Sequence, residues 1–173
     1  HIRNIWLTGQ MPDLSQFDMY INLDDDYELN PENHYVDSYF YRAFGRTDMD
    51  KSVELFPSAE DQARVDQDLA EIDSPFIVVH MRNWHWAAKN ISMDIWLEVY
   101  TKLLTVRADF KVICVGGPTD FFIEDHPLFI DARAKYTDQQ LKYVCDNAQA
   151  FVGIDSAPYW CAAASSTHII ALL

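Results

Sequence analysis

The stretch Ala150–Ala164, AFVGIDSAPYWCAAA, has the form of a short apolar strand that runs directly into a helix of small residues. Asp155 and Ser156 occupy the turn, and Pro158 follows at a first-turn position, where its missing N–H leaves no helical partner unsatisfied. Backbone N–H groups and the dipole at such a helix start favour an anion. Asp155 and Ser156 therefore cap the helix, hold a phosphate, or do both.

The same alternation of apolar runs and amphipathic stretches continues on either side, from Pro75 to the end of the chain. It is typical of βαβ units in a parallel sheet. The predicted strands are Phe76–His80, Lys111–Val115, Leu128–Asp131, Ala150–Ile154 and His168–Leu172, the last one buried; the predicted helices are Met93–Val106, Thr137–Asn147 and Ala157–Ser165. The sequence thus predicts an α/β fold with a Rossmann-like parallel sheet and helices on both faces.

The first 74 residues are less regular. Apolar stretches predict strands at Ile2–Leu7 and Met19–Leu23, and Ala59–Ile72 has the pattern of a charged amphipathic helix. The stretch 28–45, rich in Tyr, Phe, Asn and Pro, is expected to be a packed connector with a short helix near Tyr35–Phe44. We expect residues 1–28 to be the remnant of an N-terminal domain, 29–74 a connector with a linking helix, and 75–173 the Rossmann-like domain. A start without Met and an end in an apolar run suggest a piece of a longer protein.

Charge and cysteine content limit the partners and the compartment. Lys and Arg total 13 against 27 Asp and Glu, a formal charge of −14, which repels nucleic-acid phosphates and anionic lipids. No apolar run reaches the roughly 18 residues of a membrane helix. The three cysteines lack C-x-x-C spacing and are predicted to be core thiols. We expect a cytoplasmic protein without nucleic-acid partner or stable membrane insertion.

Candidate ligand-binding residues follow the predicted strands, because ligands of open parallel sheets bind beyond the carboxyl ends of the strands. The loop after the first strand, residues 80–89, offers Arg82 and Lys89 to a phosphate. After the second strand, Gly116 and Gly117 allow close approach of the backbone, and Asp120 is placed to accept from ribose hydroxyls. Both segments are also compatible with an ordinary surface loop or turn that binds no ligand.

Residues 150–164 resemble the segment F-V-G-x-D-S-G-P-x-H-L-A-A-A of heptosyltransferase-like glycosyltransferases. The loop that ends at Lys89, the pair Gly116-Gly117 and the predicted helix at 137–149 are similar to further segments of that family, and Asn33–Gly45 is similar to its interdomain connector. The similarity covers about residues 30–173. It implies the C-terminal, donor-binding domain of a glycosyltransferase B fold.

The resemblance also implies a function and a set of roles. A sugar would pass from a nucleotide-diphosphate sugar, the substrate, to a glycan-type acceptor without metal or other cofactor. Lys89 would contact the donor phosphate or sugar, Asp120 would lie near the ribose, and Asp155 with the following N–H groups would hold sugar and diphosphate. The catalytic base is expected upstream of residue 1.

Two departures from the family pattern leave an alternative open. Ala157 replaces the usual Gly and Trp160 the usual His, so a phosphate would be more crowded and an imidazole donor is lost. A non-catalytic nucleotide- or sugar-binding module with the same fold is compatible with both replacements.

A metal-dependent reading is a further alternative. Asp24-Asp25-Asp26 after an apolar stretch resembles the D-x-D site of the other major glycosyltransferase fold, where carboxylates hold Mg²⁺ or Mn²⁺. An acidic run at that place is also a normal solvated turn. His80 and His85 are metal-ligand types without an evident third partner, and no Ser-His-Asp order is apparent in the sequence.

Overall fold

The computed structural model describes residues 13, 15, 18–23, 29, 31–83, 90–106 and 109–172. The chain forms two compact units, His1–Lys51 and Ser52–Leu173. The predicted strand Ile2–Leu7 and the run Asp24–Asp26 lie outside the described residues. The predicted domain boundaries at 28 and 74 stay predictions.

Helix α1 of the first unit spans Tyr35–Phe44, as predicted. Its N-cap residue is His34, whose side chain accepts from the Val36 N–H, and its C-cap residue is Gly45, where φ is 70°. A left-handed residue at a helix end is most easily a glycine, because it has no Cβ to clash.

The strand predicted at Met19–Leu23 is wrong. Residues 19–23 have no regular secondary structure, and the Met19 side chain is 72% exposed. A strand needs a hydrogen-bonded neighbour, and none of the described residues pairs with this stretch.

The second unit is an α/β layer structure built on a parallel sheet. In the described part of the chain the sheet has the strand order β3-β2-β1-β4-β5. The strands are β1 Phe76–Val79, β2 Lys111–Cys114, β3 Phe129–Asp131, β4 Ala150–Gly153 and β5 His168–Ala171; the helices are α2 Ala59–Leu69, α3 Met93–Val106, α4 Asp138–Asp146 and α5 Ala157–Ala163. Every predicted element of this unit is present, with ends shifted by up to three residues, and the predicted fold class is confirmed.

Local sequence signals explain where the helices begin. Ser58 and Asp61 form a capping box at α2, and Thr137 and Gln140 form the predicted one at α4. In a capping box two backbone N–H groups that have no helical partner are satisfied by side chains. At α5 the Ser156 side chain accepts from the Tyr159 N–H.

The sheet is covered on both faces by apolar side chains. In β1, Phe76 and Val78 join one core cluster, whereas Ile77 and Val79 join the other, since successive side chains of a strand point to opposite faces. The first cluster is completed by α2, α4 and α5, and the second by Trp96 and Tyr100 of α3. Helices on both faces are thus confirmed.

Strand β5 differs from its prediction as a buried strand. All four of its residues are exposed, and Ile170 is 52% exposed. The strand forms one edge of the described sheet and pairs with β4 alone, so one row of its backbone groups and both faces lack a covering element among the described residues.

The cysteines are core thiols, as predicted. Cys114, Cys145 and Cys161 are free and buried. Burial raises the pKa of the Cys114 thiol to about 12 and that of Cys145 still further, because a thiolate is disfavoured away from water. None of the described helices has both the length and the apolar character needed to cross a membrane.

Candidate functional site

A cavity of about 390 Å³ lies at the carboxyl ends of the first four strands. Its volume is within the range of small-molecule sites, about 300–1,000 Å³. The strand order reverses at β1, which lies between β2 and β4, and ligands of open α/β sheets bind at such a reversal. The lining residues belong to the loops after β1 (His80, Arg82), β2 (Val115–Asp120), β3 (Ala132, Ala134–Tyr136) and β4 (Ser156–Pro158), with Asp138 and Leu141 of α4.

The imidazole of His80 lies among the polar side chains of the cavity, between Asp120 and Ser156. It is 3% exposed, and both ring nitrogens have a partner. Nδ1 lies 2.9 Å from the Ser156 hydroxyl oxygen, and Nε2 lies 3.0 Å from Oδ2 of Asp120. One buried ring thus joins the loop after β2 to the start of α5.

The Asp120 carboxylate organises the loop after β2. Its Oδ2 also accepts from the Gly117 N–H at 2.7 Å, and its Oδ1 accepts from the Asn83 N–H at 2.7 Å. Burial acts to raise the pKa of Asp120, but the bonds from His80, Asn83 and Gly117 outweigh it and hold the pKa below its ordinary value. The carboxylate is therefore charged at neutral pH.

Gly116 allows this loop to approach His80. Its φ is 130°, and a Cβ at this position would lie 2.7 Å from Cδ2 of His80. The Gly116 carbonyl accepts from the N–H of Ala134, on the neighbouring loop after β3, at 2.8 Å. Ala134 itself has a φ of 54°, so both residues of this pair have left-handed backbone.

Ser156 has a structural function in the described geometry. Its hydroxyl donates to the Ile154 carbonyl or contacts His80, each at 2.9 Å, and its oxygen accepts from the Tyr159 N–H. The chain Ser156–His80–Asp120 contains the residue types of a hydrolytic triad. A serine committed to a helix cap and an imidazole that is almost completely buried do not form an accessible nucleophile and base.

The cations of the cavity are held in place by neighbours. Nη1 of Arg82 donates to the Asp155 carbonyl at 2.9 Å. On the loop after β3, the Lys135 ammonium lies 3.1 Å from Asp68 and 5.5 Å from the centre of the Tyr136 ring. The two cations of the cavity therefore belong to two different loops.

The structure brings most of the predicted site residues to one place. Arg82, Gly116, Gly117, Asp120, Ser156 and Ala157 line the cavity. Asp155 is not a lining residue, but its backbone carbonyl accepts from Arg82, which is one. Trp160 is partly exposed and does not line the cavity. Lys89 lies outside the described residues, as does His85.

Sequence reasoning missed the central position of His80 and the wall formed by Ala134, Lys135 and Tyr136. A histidine directly after a buried strand was the available signal for the first. The wall formed by Ala134, Lys135 and Tyr136 has no such signal in the sequence. Its residues reach the cavity only through the path of the loop between β3 and α4. No cluster of three or more His, Cys, Asp or Glu side chains suited to a metal occurs among the described residues.

The described fold is similar to that of solved glycosyltransferases. A family 9 glycosyl transferase from Veillonella parvula matches with a TM-score of 0.63 and 17% sequence identity, over 80% of this chain and 43% of its own. The ADP-heptose LPS heptosyltransferase II of E. coli matches with a TM-score of 0.59 and 15% identity, over 79% of this chain and 46% of its own. This chain therefore spans less than half the length of either protein.

No protein-family profile and no curated protein sequence matches the chain. The likeness to solved structures lies in the backbone, and at this level of sequence identity it establishes architecture. The chain has the Rossmann-like α/β fold of the heptosyltransferase-like glycosyltransferases, which is the fold that the resemblance at Ala150–Ala164 implies.

Proposed function

We propose that this chain is the donor-binding part of a glycosyltransferase and binds a nucleotide-diphosphate sugar in the cavity at the carboxyl ends of β1–β4. The observation that carries the proposal is the position of the cavity, at the point where the strand order reverses. The fold shared with two solved glycosyltransferases supports it.

The cavity offers an apolar surface and positive charge, and these suit the base and the diphosphate of such a donor. The apolar side chains of Val115, Ala132 and Leu141 line the cavity together with the Tyr136 ring, a surface that a flat base can contact. Arg82 and Lys135 supply positive charge for a diphosphate. A guanidinium carries five N–H donors, so the bond to Asp155 orients Arg82 and leaves further donors for a phosphate.

The local charges matter more than the net charge of the chain. An anionic ligand experiences fixed donors within a few ångströms more strongly than charges beyond about 10 Å, which salt screens. We propose that Arg82 and Lys89 offset the negative charge that develops on the departing nucleoside diphosphate, a form of stabilisation worth several kcal/mol in a dry cleft.

The ribose position is proposed to involve a carboxylate. Asp120, the residue predicted for it, already receives three hydrogen bonds. Asp138 is also a lining residue of the cavity, at the start of α4. We therefore propose that Asp138 accepts from ribose hydroxyls, while Asp120 shapes the loop.

The acceptor and the general base are assigned to no residue of this chain. An inverting transfer needs a base within hydrogen-bonding reach of the acceptor hydroxyl, and we propose that an acceptor-binding domain before residue 1 supplies it. A cell-surface glycan is the acceptor class that the resemblance implies.

Calorimetric titration tests the proposal. UDP, GDP, ADP and CDP are titrated into the wild-type chain and into Arg82→Ala and Lys89→Ala. Arg46→Ala and Lys102→Ala are matched controls, since these two cations pair with Asp48 and Glu98 and are not lining residues of the cavity. We expect saturable binding of one nucleotide, weakened in the first two variants and unchanged in the controls. A folded chain that binds none of the four would contradict the proposal.

The second candidate is a binding module without catalysis. Ala157 lines the cavity in place of the glycine of the family pattern, which is the observation that favours it. A chain that includes the proposed acceptor-binding domain would distinguish the two: an enzyme transfers or slowly hydrolyses the sugar of a bound donor, whereas a module binds the same nucleotide without turnover.

A further inference from the structure

His80 joins three loops of the cavity through one buried side chain. It follows β1 directly, and its partners Asp120 and Ser156 lie 40 and 76 positions further along the chain. The partners belong to the loop after β2 and the turn before α5.

The Asp120 arm extends from the imidazole to the backbone. An ionised carboxylate accepts and never donates, so Nε2 of His80 carries a proton and donates to Asp120. The same carboxylate receives the N–H groups of Gly117 and Asn83, and the Asp120 carbonyl accepts from Arg133 at 2.6 Å. The orientation of the ring therefore sets the position of residues 116–120.

The Ser156 arm remains in both protonation states of the ring. When Nδ1 has no proton, the Ser156 hydroxyl donates to it. When Nδ1 is protonated, it donates to Ser156, and the hydroxyl proton turns to the Ile154 carbonyl, which lies 2.9 Å away. In either case the start of α5 stays attached to β1.

We propose that His80 is the positioning residue of the cavity, and that it controls nucleotide affinity by fixing the glycine loop, residues 116–120, against Ser156. The inference rests on the proposed function, since the affinity concerned is that for a nucleoside diphosphate. The ring is too deeply buried to be a principal ligand contact. It acts through the glycine loop and the start of α5, the two segments that it joins.

Three variants separate the two arms. His80→Ala removes both; His80→Gln keeps an amide near the position of Nε2, toward Asp120; His80→Asn keeps one near the position of Nδ1, toward Ser156. The control is His126→Gln, a histidine that packs edge-on to Phe129 and does not line the cavity. Affinity for the nucleotide that the wild type prefers is measured by calorimetry, and amide hydrogen exchange is measured at Gly117 and Asn83.

We expect His80→Ala to weaken nucleotide binding by about tenfold or more, with partial recovery in the Gln and Asn variants and no change in His126→Gln. Exchange at Gly117 and Asn83 should accelerate in His80→Ala and remain slow in His80→Gln, which retains the Asp120 arm. Partial recovery separates positioning from a general loss of stability, because it follows the retained arm.

Other results would overturn the inference. Wild-type affinity in His80→Ala would do so, and so would Gln and Asn variants that bind no better than the Ala variant. If His80→Ala does not fold, the Gln and Asn variants are compared with the wild type, and equal affinity in all three overturns it. If the wild type binds no nucleotide, the proposed function fails, and the control of nucleotide affinity fails with it. Amide exchange then tests only the fixing of the glycine loop: unchanged exchange at Gly117 and Asn83 in His80→Ala overturns it, and faster exchange supports it.

Discussion

Two neighbouring walls of the cavity, formed by the loops after β2 and β3, each contain a residue with a positive φ. Gly116, after β2, has a φ of 130°, and Ala134, after β3, has a φ of 54°; the Ala134 N–H bonds to the Gly116 carbonyl. Hydrogen bonds to the Asp120 carboxylate hold the loop after β2 close to His80, where a Cβ at Gly116 has no room. Ala134 is exposed. The comparison teaches that one wall is fixed by side-chain packing and the other retains a small local strain.

The largest effect is expected when a methyl group enters the fixed wall. Gly116→Ala would place a Cβ within contact of both the His80 ring and the Asp120 carboxylate, and a positive φ adds about 1–3 kcal/mol of strain. We expect a loss of about 3 kcal/mol or more in the free energy of unfolding, measured with urea, together with loss of nucleotide binding.

Gly117→Ala is the matched control. The nearest atom to a Cβ there is Oδ2 of Asp120 at 3.7 Å, an ordinary contact, and the φ is not in the left-handed range. Its loss of stability should be about 1 kcal/mol or less. Equal losses in the two variants would show that crowding at His80 does not define this wall.

A smaller effect is expected from the charge of Asp120. Its folded-state pKa is depressed below 3.8, so its ionised form stabilises the folded state above that pH, and this contribution disappears as the pH falls through the folded-state value. Asp120→Asn should lower stability by about 1–3 kcal/mol at pH 7. In thermal unfolding, the difference from the wild type should shrink as the pH falls below 3.8. A difference that does not change with pH would contradict the assignment.

The smallest change in stability, an increase rather than a loss, is expected at the wall formed by the loop after β3. Ala134→Gly relieves the left-handed strain of an alanine, which costs about 1 kcal/mol, while the more flexible unfolded chain offsets part of the gain. We expect stability to be equal to the wild type or higher by up to about 1 kcal/mol in urea unfolding. A clear loss of stability would show that the Ala134 methyl group packs in the wall.

The predictable part of the molecule is the part with short-range signals. The continuous apolar run of β1, the capping pair Thr137 and Gln140 and the apolar spacing of α3 located the elements of the second unit within three residues. The signal failed where burial depends on a neighbour: Met19–Leu23 has the composition of a strand without a pairing partner, and β5 is apolar but exposed.

The site was predictable as a set of loops and only partly as a set of contacts. The sheet rule identifies which loops meet, and Arg82, Gly116 and Ser156 do line one cavity. The pairing of His80 with Asp120 and Ser156 joins residues 40 and 76 positions apart. Sequence spacing does not encode such distances, since they depend on how three loops turn after their strands.

The most direct test of the account is to locate a bound nucleotide by its effect on backbone amide signals in ¹H–¹⁵N correlation spectra. The account predicts that titration with the preferred nucleoside diphosphate shifts the signals of residues 116–120, 134–136 and 156–157, and leaves those of α3 on the other face of the sheet unchanged. Shifts confined to residues outside the loops after β1–β4 would contradict a donor site in this cavity.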